Sequence, residues 1–279
     1  MPTIITLKPL FVPLVSVAVL FASSSTAENQ TSAELTLPAI IAGEHRSPAN
    51  IARDAARHPV ETLKFFGLEP DMTLIEIGPS GAWYTEILAP YMRDSGRYYG
   101  AHFSPNSTNA FQRKNLEDFE AKLTANPAIY GRAIIRHLDP PNETAIGPEE
   151  GADIALTFRN VHNWMSRGIE QEFFNAFHKN LKPGGILGVV EHRAPDSADK
   201  QKMIDTGYVS EAYVKRIAES AGFEFISSSE INANEKDTKD HPEGVWTLPP
   251  SFRMGEVDRS KFAAIGESDR MTLKFVKPE

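Results

Sequence analysis

Apolar and aromatic positions along this chain fall into short runs separated by longer amphipathic stretches. Runs at 73–77, 97–103, 133–138, 153–158, 186–191, 223–227 and 271–277 have the length and the β-branched or aromatic content of strands. Helices are expected between them at 83–92, about 106–123 and 167–180, and one more is capped by Ser210 and closed by Gly222. Strands alternating with helices predict an α/β protein with a Rossmann-like, doubly wound, mostly parallel sheet of seven strands. No recognisable helix separates the last two runs, which leaves them free to pair antiparallel. Ahead of the first strand, 47–66 reads as helical, with Ser47 as cap, Pro48 at the first position and a stripe from Ile51 to Phe66. Pro59 is expected to divide it in two. The segment 230–269 interrupts the final pair of strands. It is long and polar, with Trp246, Phe252 and Phe262 spaced through it. A parallel strand ends on the ligand side, so this insert starts beside any site and is favoured as a substrate lid. A surface appendage packing its aromatics on the sheet edge is the other reading.

The N-terminus departs from this pattern. Lys8 is the only charge before Glu28, Leu10 to Ala22 is apolar, and Ser25-Thr26-Ala27 offers small residues at the −3 and −1 positions. That is the layout of a secretory signal peptide cleaved after Ala27. A membrane anchor is disfavoured because the run is short and Pro13 interrupts it. The expected organisation is a signal segment 1–27, a polar lead-in 28–45 and one domain over 46–279. The expected location is the bacterial periplasm, with no stable membrane insertion after cleavage. The chain has no cysteine, which excludes disulfides, thiolate metal sites and a cysteine nucleophile. A formal net charge of −8 disfavours long-range attraction to nucleic acid.

Two segments carry the chemistry. Leu74-Ile75-Glu76-Ile77-Gly78-Pro79-Ser80-Gly81-Ala82-Trp83-Tyr84-Thr85 reads as a buried strand, a small-residue turn and the first turn of a helix. Rossmann-type sheets present backbone N–H groups to a nucleotide-like ligand in this way. Leu181-Lys182-Pro183-Gly184-Gly185 is a helix stop and turn feeding the apolar run that ends at Glu191-His192. Together, at this separation, they resemble the class I S-adenosylmethionine-dependent methyltransferases. The segments 52–59, 83–90 and 269–278 extend the likeness to a group of exported, predicted bacterial methyltransferases, over roughly Arg46 to Pro278.

The resemblance implies an antiparallel last strand, S-adenosylmethionine as cofactor, and methyl transfer to a small-molecule acceptor. It places cofactor contacts at Glu76, Gly78, Pro79, Ser80, Gly81 and Thr85, with Glu76 ordering the loop or binding the methionine amino group. Ser80 and Ala82 stand where the family usually has glycine. His102 stands where the family has the carboxylate that binds the ribose hydroxyls; a neutral imidazole accepts only one hydrogen bond. In the stretch Thr157 to Trp164, Asn160 is the implied cofactor contact, and His162, Asn163 and Trp164 face the substrate, together with His192. Arg53, Asp54 and Arg57 either cover the cofactor or form a helix-surface ion-pair set.

His102, His137, His162 and His192 each fall at the expected carboxyl end of a strand, and a parallel sheet gathers such ends on one rim. They could supply a general base, hold a metal, or simply satisfy loop backbone; no metal is assigned. Because the cofactor is made in the cytosol while the signal exports the chain, a second reading stays open. It is an exported, non-catalytic ligand- or metal-binding protein on a methyltransferase scaffold.

Overall fold

Seven strands form one sheet in the order β3-β2-β1-β4-β5-β7-β6. They are β1 (Thr73–Ile77), β2 (Arg97–His102), β3 (Ile134–His137), β4 (Ala152–Phe158), β5 (Leu181–His192), β6 (Glu224–Ser229) and β7 (Arg270–Val276). β7 runs antiparallel to both neighbours and the other six strands are mutually parallel. This computed structural model describes Met1, Thr3 and residues 36–279. The expected signal segment, those two residues aside, lies outside the described residues. No described helix is long and apolar enough to cross a membrane.

The central strands read as continuous apolar runs because both faces of the sheet are covered. Ile75, Ile77 and Val189 share one core with Phe173, Phe174 and Phe177 of the helix Glu170–Asn180 and Val214 and Ile217 of the helix Glu211–Ser220. Leu74, Leu156 and Val190 point the other way, onto Leu63 and Phe66 of the helix Pro59–Phe66 and Ile87 and Leu88 of the helix Thr85–Met92. The second face is tight at Gly188, where a Cβ would lie 2.5 Å from Leu156 Cδ2 and 2.8 Å from Phe66 Cδ1.

The elements depart from the sequence expectation where local backbone overrides periodicity. The helix after β1 starts at Thr85 rather than residue 83, since Ser80 (φ 46°) and Ala82 (φ 61°) hold a wider turn. The stretch 47–66 forms three helices rather than two, and His58 at φ 42° marks the break before Pro59. The helix expected from about 106 is Ala110–Ala125, capped by Asn109, whose side chain accepts from the Phe111 N–H. β5 begins at Leu181 because Leu181 already pairs with Ala152, ahead of a register shift. The lead-in holds a short helix, Leu37–Ile41, whose Leu37 and Ile40 are buried.

The 230–269 insert is folded onto the body. It contains the 3₁₀ turn Gly244–Thr247 and the helix Arg259–Ile265 and buries Val245, Leu248 and Phe262. Asn232 donates to Thr62 Oγ1 (3.0 Å) and Thr272 Oγ1 (2.9 Å). Buried Asp237 is the main anchor. It accepts from the Tyr208 hydroxyl (3.0 Å), the Asp269 N–H (2.8 Å), the Lys239 N–H (3.0 Å) and the His241 ring (2.8 Å). Asp237→Ala strands several of these donors, at about 1–3 kcal/mol for each buried one. The expected loss in urea unfolding is at least about 2 kcal/mol, whereas exposed Asp240→Ala should change stability by under about 0.5 kcal/mol. Equal effects would remove Asp237 as the anchor.

Candidate functional site

Asn160, just past the end of β4, ties the carboxyl ends of β1 and β4 together. Its side-chain amide donates to the Ile77 carbonyl (3.0 Å) and to Thr157 Oγ1 (3.1 Å). Gly78 fits beneath it only because it lacks a side chain: a Cβ there would sit 2.8 Å from Asn160 Nδ2, and its φ of 64° suits glycine. Two cavities meet at this junction. The first, of about 420 Å³, reaches toward β5 and the insert; the second, of about 480 Å³, reaches toward β2 and β3. Gly78, Ser80, Asn160 and Asn163 border both.

Glu76 lies at the first cavity and is buried. Its Oε2 accepts from the Tyr98 hydroxyl (2.6 Å) and the Thr85 hydroxyl (2.7 Å). Burial pushes the carboxyl up to about 7, against these two hydrogen bonds, which favour the ionised form. Thr85 is itself fully buried and borders neither cavity; it acts on Glu76. Pro79, Ser80 and Gly81 border the first cavity, and a Cβ at Gly81 would meet nothing within 4 Å.

His102 borders the second cavity, but its one acceptor is not free for a ligand. Nδ1 accepts from the Phe103 N–H (2.8 Å), so the single acceptor of the neutral ring is already used. Buried Nε2 lacks a hydrogen-bond partner of good geometry, although the Ser80 backbone and the Asn115 side chain are close. Burial lowers its pKa to about 4, which keeps it neutral at physiological pH.

The four expected rim histidines do not converge. They form two separate pairs: His162 and His192, with ring centroids 5.3 Å apart at the first cavity, and His102 with His137, which face each other where β2 and β3 end. His102 packs on Phe119, and His137 borders a separate cavity with Arg136 and Asn142. The rim fails because His162 lies in the short helix Val161–Met165 rather than at a strand end, and because His102 faces the helix Ala110–Ala125.

Fully buried Glu191 organises the His162–His192 pair. Its Oε1 accepts from His162 Nδ1 (3.0 Å) and the His192 N–H (2.8 Å), and its Oε2 accepts from the His162 N–H (3.3 Å). With the carboxylate as acceptor, Nδ1 carries the imidazole proton and Nε2 presents its lone pair. His192 Nδ1 pairs with Ser268 Oγ, and burial depresses this imidazole well below its ordinary value, helped by His162, Arg159 and Arg270. His162, Glu191 and His192 offer ligand atoms within 4.8 Å of one another.

Trp246 of the insert joins Trp83, Tyr84 and Phe158 in lining the first cavity, with its ring 6.0 Å from His162. Trp164 instead stacks on Phe173 (4.4 Å) in the core and borders the second cavity, while exposed Asn163 borders both.

Sequence reasoning named Arg53 and Arg57 beside Asp54, but Asp54 pairs with Arg46 instead, and Arg159, Arg270 and the shared carboxylate Glu267 were passed over. Glu267 accepts from Arg53 Nε (2.6 Å), Arg57 Nε (3.2 Å) and Arg270 Nη1 (3.0 Å), and these cations hold its carboxyl down at about 2 despite burial. Arg57 also sits 4.6 Å from the centroid of the Trp83 ring. Arg159 follows β4 at φ 62°, a backbone that costs a non-glycine residue about 1–3 kcal/mol. Burial, with Arg270 adding to it, lowers its pKa to about 10. A charged residue directly after a buried apolar strand was the available signal; the Arg53–Glu267 partnership, 214 positions apart, left none.

No protein-family model matches the chain, and no curated protein matches it. Solved structures do match. An S-adenosylmethionine-dependent methyltransferase from Aquifex aeolicus is similar with a TM-score of 0.53 and 14% identity, over 83% of this chain and 94% of that one. The [4+2]-cyclase SpnF is similar with a TM-score of 0.54 and 16% identity, over 85% of each chain. At such identities the likeness is one of fold. With the strand order and the antiparallel β7, it gives this chain the Rossmann-like fold of the class I S-adenosylmethionine-dependent methyltransferases.

Proposed function

We propose that this protein is an exported methyltransferase that uses S-adenosylmethionine to methylate a small-molecule acceptor. The observation that carries the reading is the meeting of two cavities at Gly78 and Asn160 beside a buried carboxyl. The residues fit this cofactor. Glu76 suits an ammonium group, and Gly78 lets a ligand approach the backbone. The second cavity has apolar walls for adenine in Ala101, Phe103, Leu138 and Phe173, with Asn109 and Gln112 as polar partners for ribose in place of a carboxylate. The export half of the proposal rests on the signal-like pattern of residues 1–27.

Bound S-adenosylmethionine supplies an electrophilic methyl group. The chain's own task is to align an acceptor and take its proton. His162 Nε2 is the base in this reading, and Glu191 fixes its tautomer and steadies the imidazolium that forms, as the acidic member of a triad does. His192, kept neutral, offers a second polar atom to the acceptor. Trp246, Pro249 and Pro250 give the insert's wall of this cavity an apolar surface, which limits water at the reacting atoms once the ligands are in place.

A second reading has one observation in its favour, the His162–Glu191–His192 grouping. It would make the protein a non-catalytic metal or ligand carrier. SpnF, a cyclase by name, warns that this fold does not dictate one reaction.

Calorimetric titration with S-adenosylhomocysteine and S-adenosylmethionine separates the readings. Micromolar binding without added metal is expected. No binding at millimolar ligand by folded protein, together with stoichiometric metal in the purified chain, would transfer support to the second reading.

Glu76 adds a pH test. Its folded pKa of about 7 lies above the ordinary 4.5, so its stabilising contribution is complete below about pH 4.5 and is lost as pH rises through 7. Ligand-free Glu76→Gln should therefore gain in melting temperature relative to wild type between pH 5 and about 8. A ligand ammonium would ionise Glu76, so S-adenosylhomocysteine binding near pH 6 should release a proton in wild type and not in Glu76→Gln, as seen by calorimetry in buffers of different ionisation enthalpy. A flat difference in melting temperature would contradict the buried, protonated carboxyl.

For catalysis, His162→Gln should lower turnover by about 10²–10⁴-fold while S-adenosylhomocysteine affinity stays within about twofold. A variant with near wild-type turnover would remove His162 as the base.

A further inference from the structure

Arg159 is the one guanidinium bordering the first cavity for which, among the described residues, no side-chain hydrogen bond or ion pair is found. It is half-buried, and its backbone N–H is fixed by the Val190 carbonyl (2.7 Å), so the side chain starts from a rigid point between the ends of β4 and β5. Behind it, Arg53, Arg57 and Arg270 share a single carboxylate, Glu267. Even after that pairing, Arg53 Nη2, both Nη atoms of Arg57 and Arg270 Nε are buried without hydrogen-bond partners. Four guanidinium groups thus face two nearby carboxylates, Glu267 and Glu191, on this side of the cavity. A divalent cation on His162 and His192 would add two positive charges to a region already in cationic excess, and the repulsion is strong where water is scarce. An anion would relieve it.

We propose that Arg159 is an oxyanion-binding residue of the acceptor cavity, and that the acceptor carries a carboxylate or a phosphate group. The inference rests on the methyltransferase reading for the word acceptor, but the anion subsite itself does not. Arg159 borders the cavity that holds His162 and His192, and its charge is felt by the His192 ring as well as by the Tyr84 hydroxyl. An anion held there leaves the rest of the molecule within reach of His162. The guanidinium fork matches both carboxylate and phosphate in bidentate geometry.

The test uses inorganic phosphate and benzoate as probes, titrated at constant ionic strength into ligand-free protein and into protein saturated with S-adenosylhomocysteine. Wild type should bind at least one probe with a Kd of about 1 mM or tighter in both forms. Arg159→Met should weaken that binding about tenfold or more, and Arg159→Lys should keep most of it. Arg159→Asn, which suits a positive φ, serves as the second neutral variant if the methionine variant does not fold. S-adenosylhomocysteine affinity should stay within about twofold in every folded variant. Three results overturn the proposal. Wild type binds neither probe in either form; a neutral variant binds them as wild type does; or a neutral variant loses S-adenosylhomocysteine affinity while keeping that for methylthioadenosine, which would assign Arg159 to the cofactor's own carboxylate. Failure of S-adenosylhomocysteine to bind wild type counts against the methyltransferase reading alone, because the ligand-free titration still decides the subsite.

Discussion

The rest of the site hangs on the hydrogen bonds by which Asn160 ties the end of β4 to the end of β1. One amide holds the Ile77 carbonyl and Thr157 Oγ1, while Gly78 passes under it with no room for a side chain. Parallel strands splay helices to both faces and leave their carboxyl ends open, so something polar must hold that opening at a fixed width. Asn160 does so by giving its amide to one backbone carbonyl and one side-chain hydroxyl, Ile77 and Thr157. Its neighbours then take their places on either side. Arg159 borders the first cavity, and the helix carrying His162 begins one residue later.

Charge is distributed unevenly about this junction. The turn side has one buried carboxyl, Glu76, neutral over much of the acidic range and supported by Tyr98 and Thr85. The insert side has the arginine cluster around Glu267, with neutral His192 beside it. A ligand spanning both would be held best with a positive group near Glu76 and a negative group near Arg159. The insert matters to this arrangement because it supplies Glu267, Ser268 and Trp246, and its anchoring through Asp237 holds these residues against β7.

Much of the architecture was legible because buried parallel strands must be apolar on both faces. The run Thr73–Ile77 and the Gly-Gly turn before Ile186 could be read directly, and the antiparallel β7 followed from the resemblance. Helix starts were less legible: Trp83 and Tyr84 look helical, but the positive φ values of Ser80 and Ala82 delay the first turn. In the site, Glu76, Gly78, Asn160 and His162 stand in or beside strand ends, where sequence order predicts position. Trp164 and Trp246 are indistinguishable as residue types, and only packing tells that the first stacks on Phe173 while the second reaches His162. The cluster of Arg53, Arg57, Arg270 and Glu267 is assembled from chain segments more than 200 residues apart, and no local pattern announces it.

The most direct measurement is a crystal structure of the protein grown with saturating S-adenosylhomocysteine. The account predicts one ligand crossing from the second cavity past Gly78 into the first, with its amino group in hydrogen-bond reach of Glu76. Unchanged cavities with no ligand, or a metal ion on His162 and His192 in its place, would contradict it.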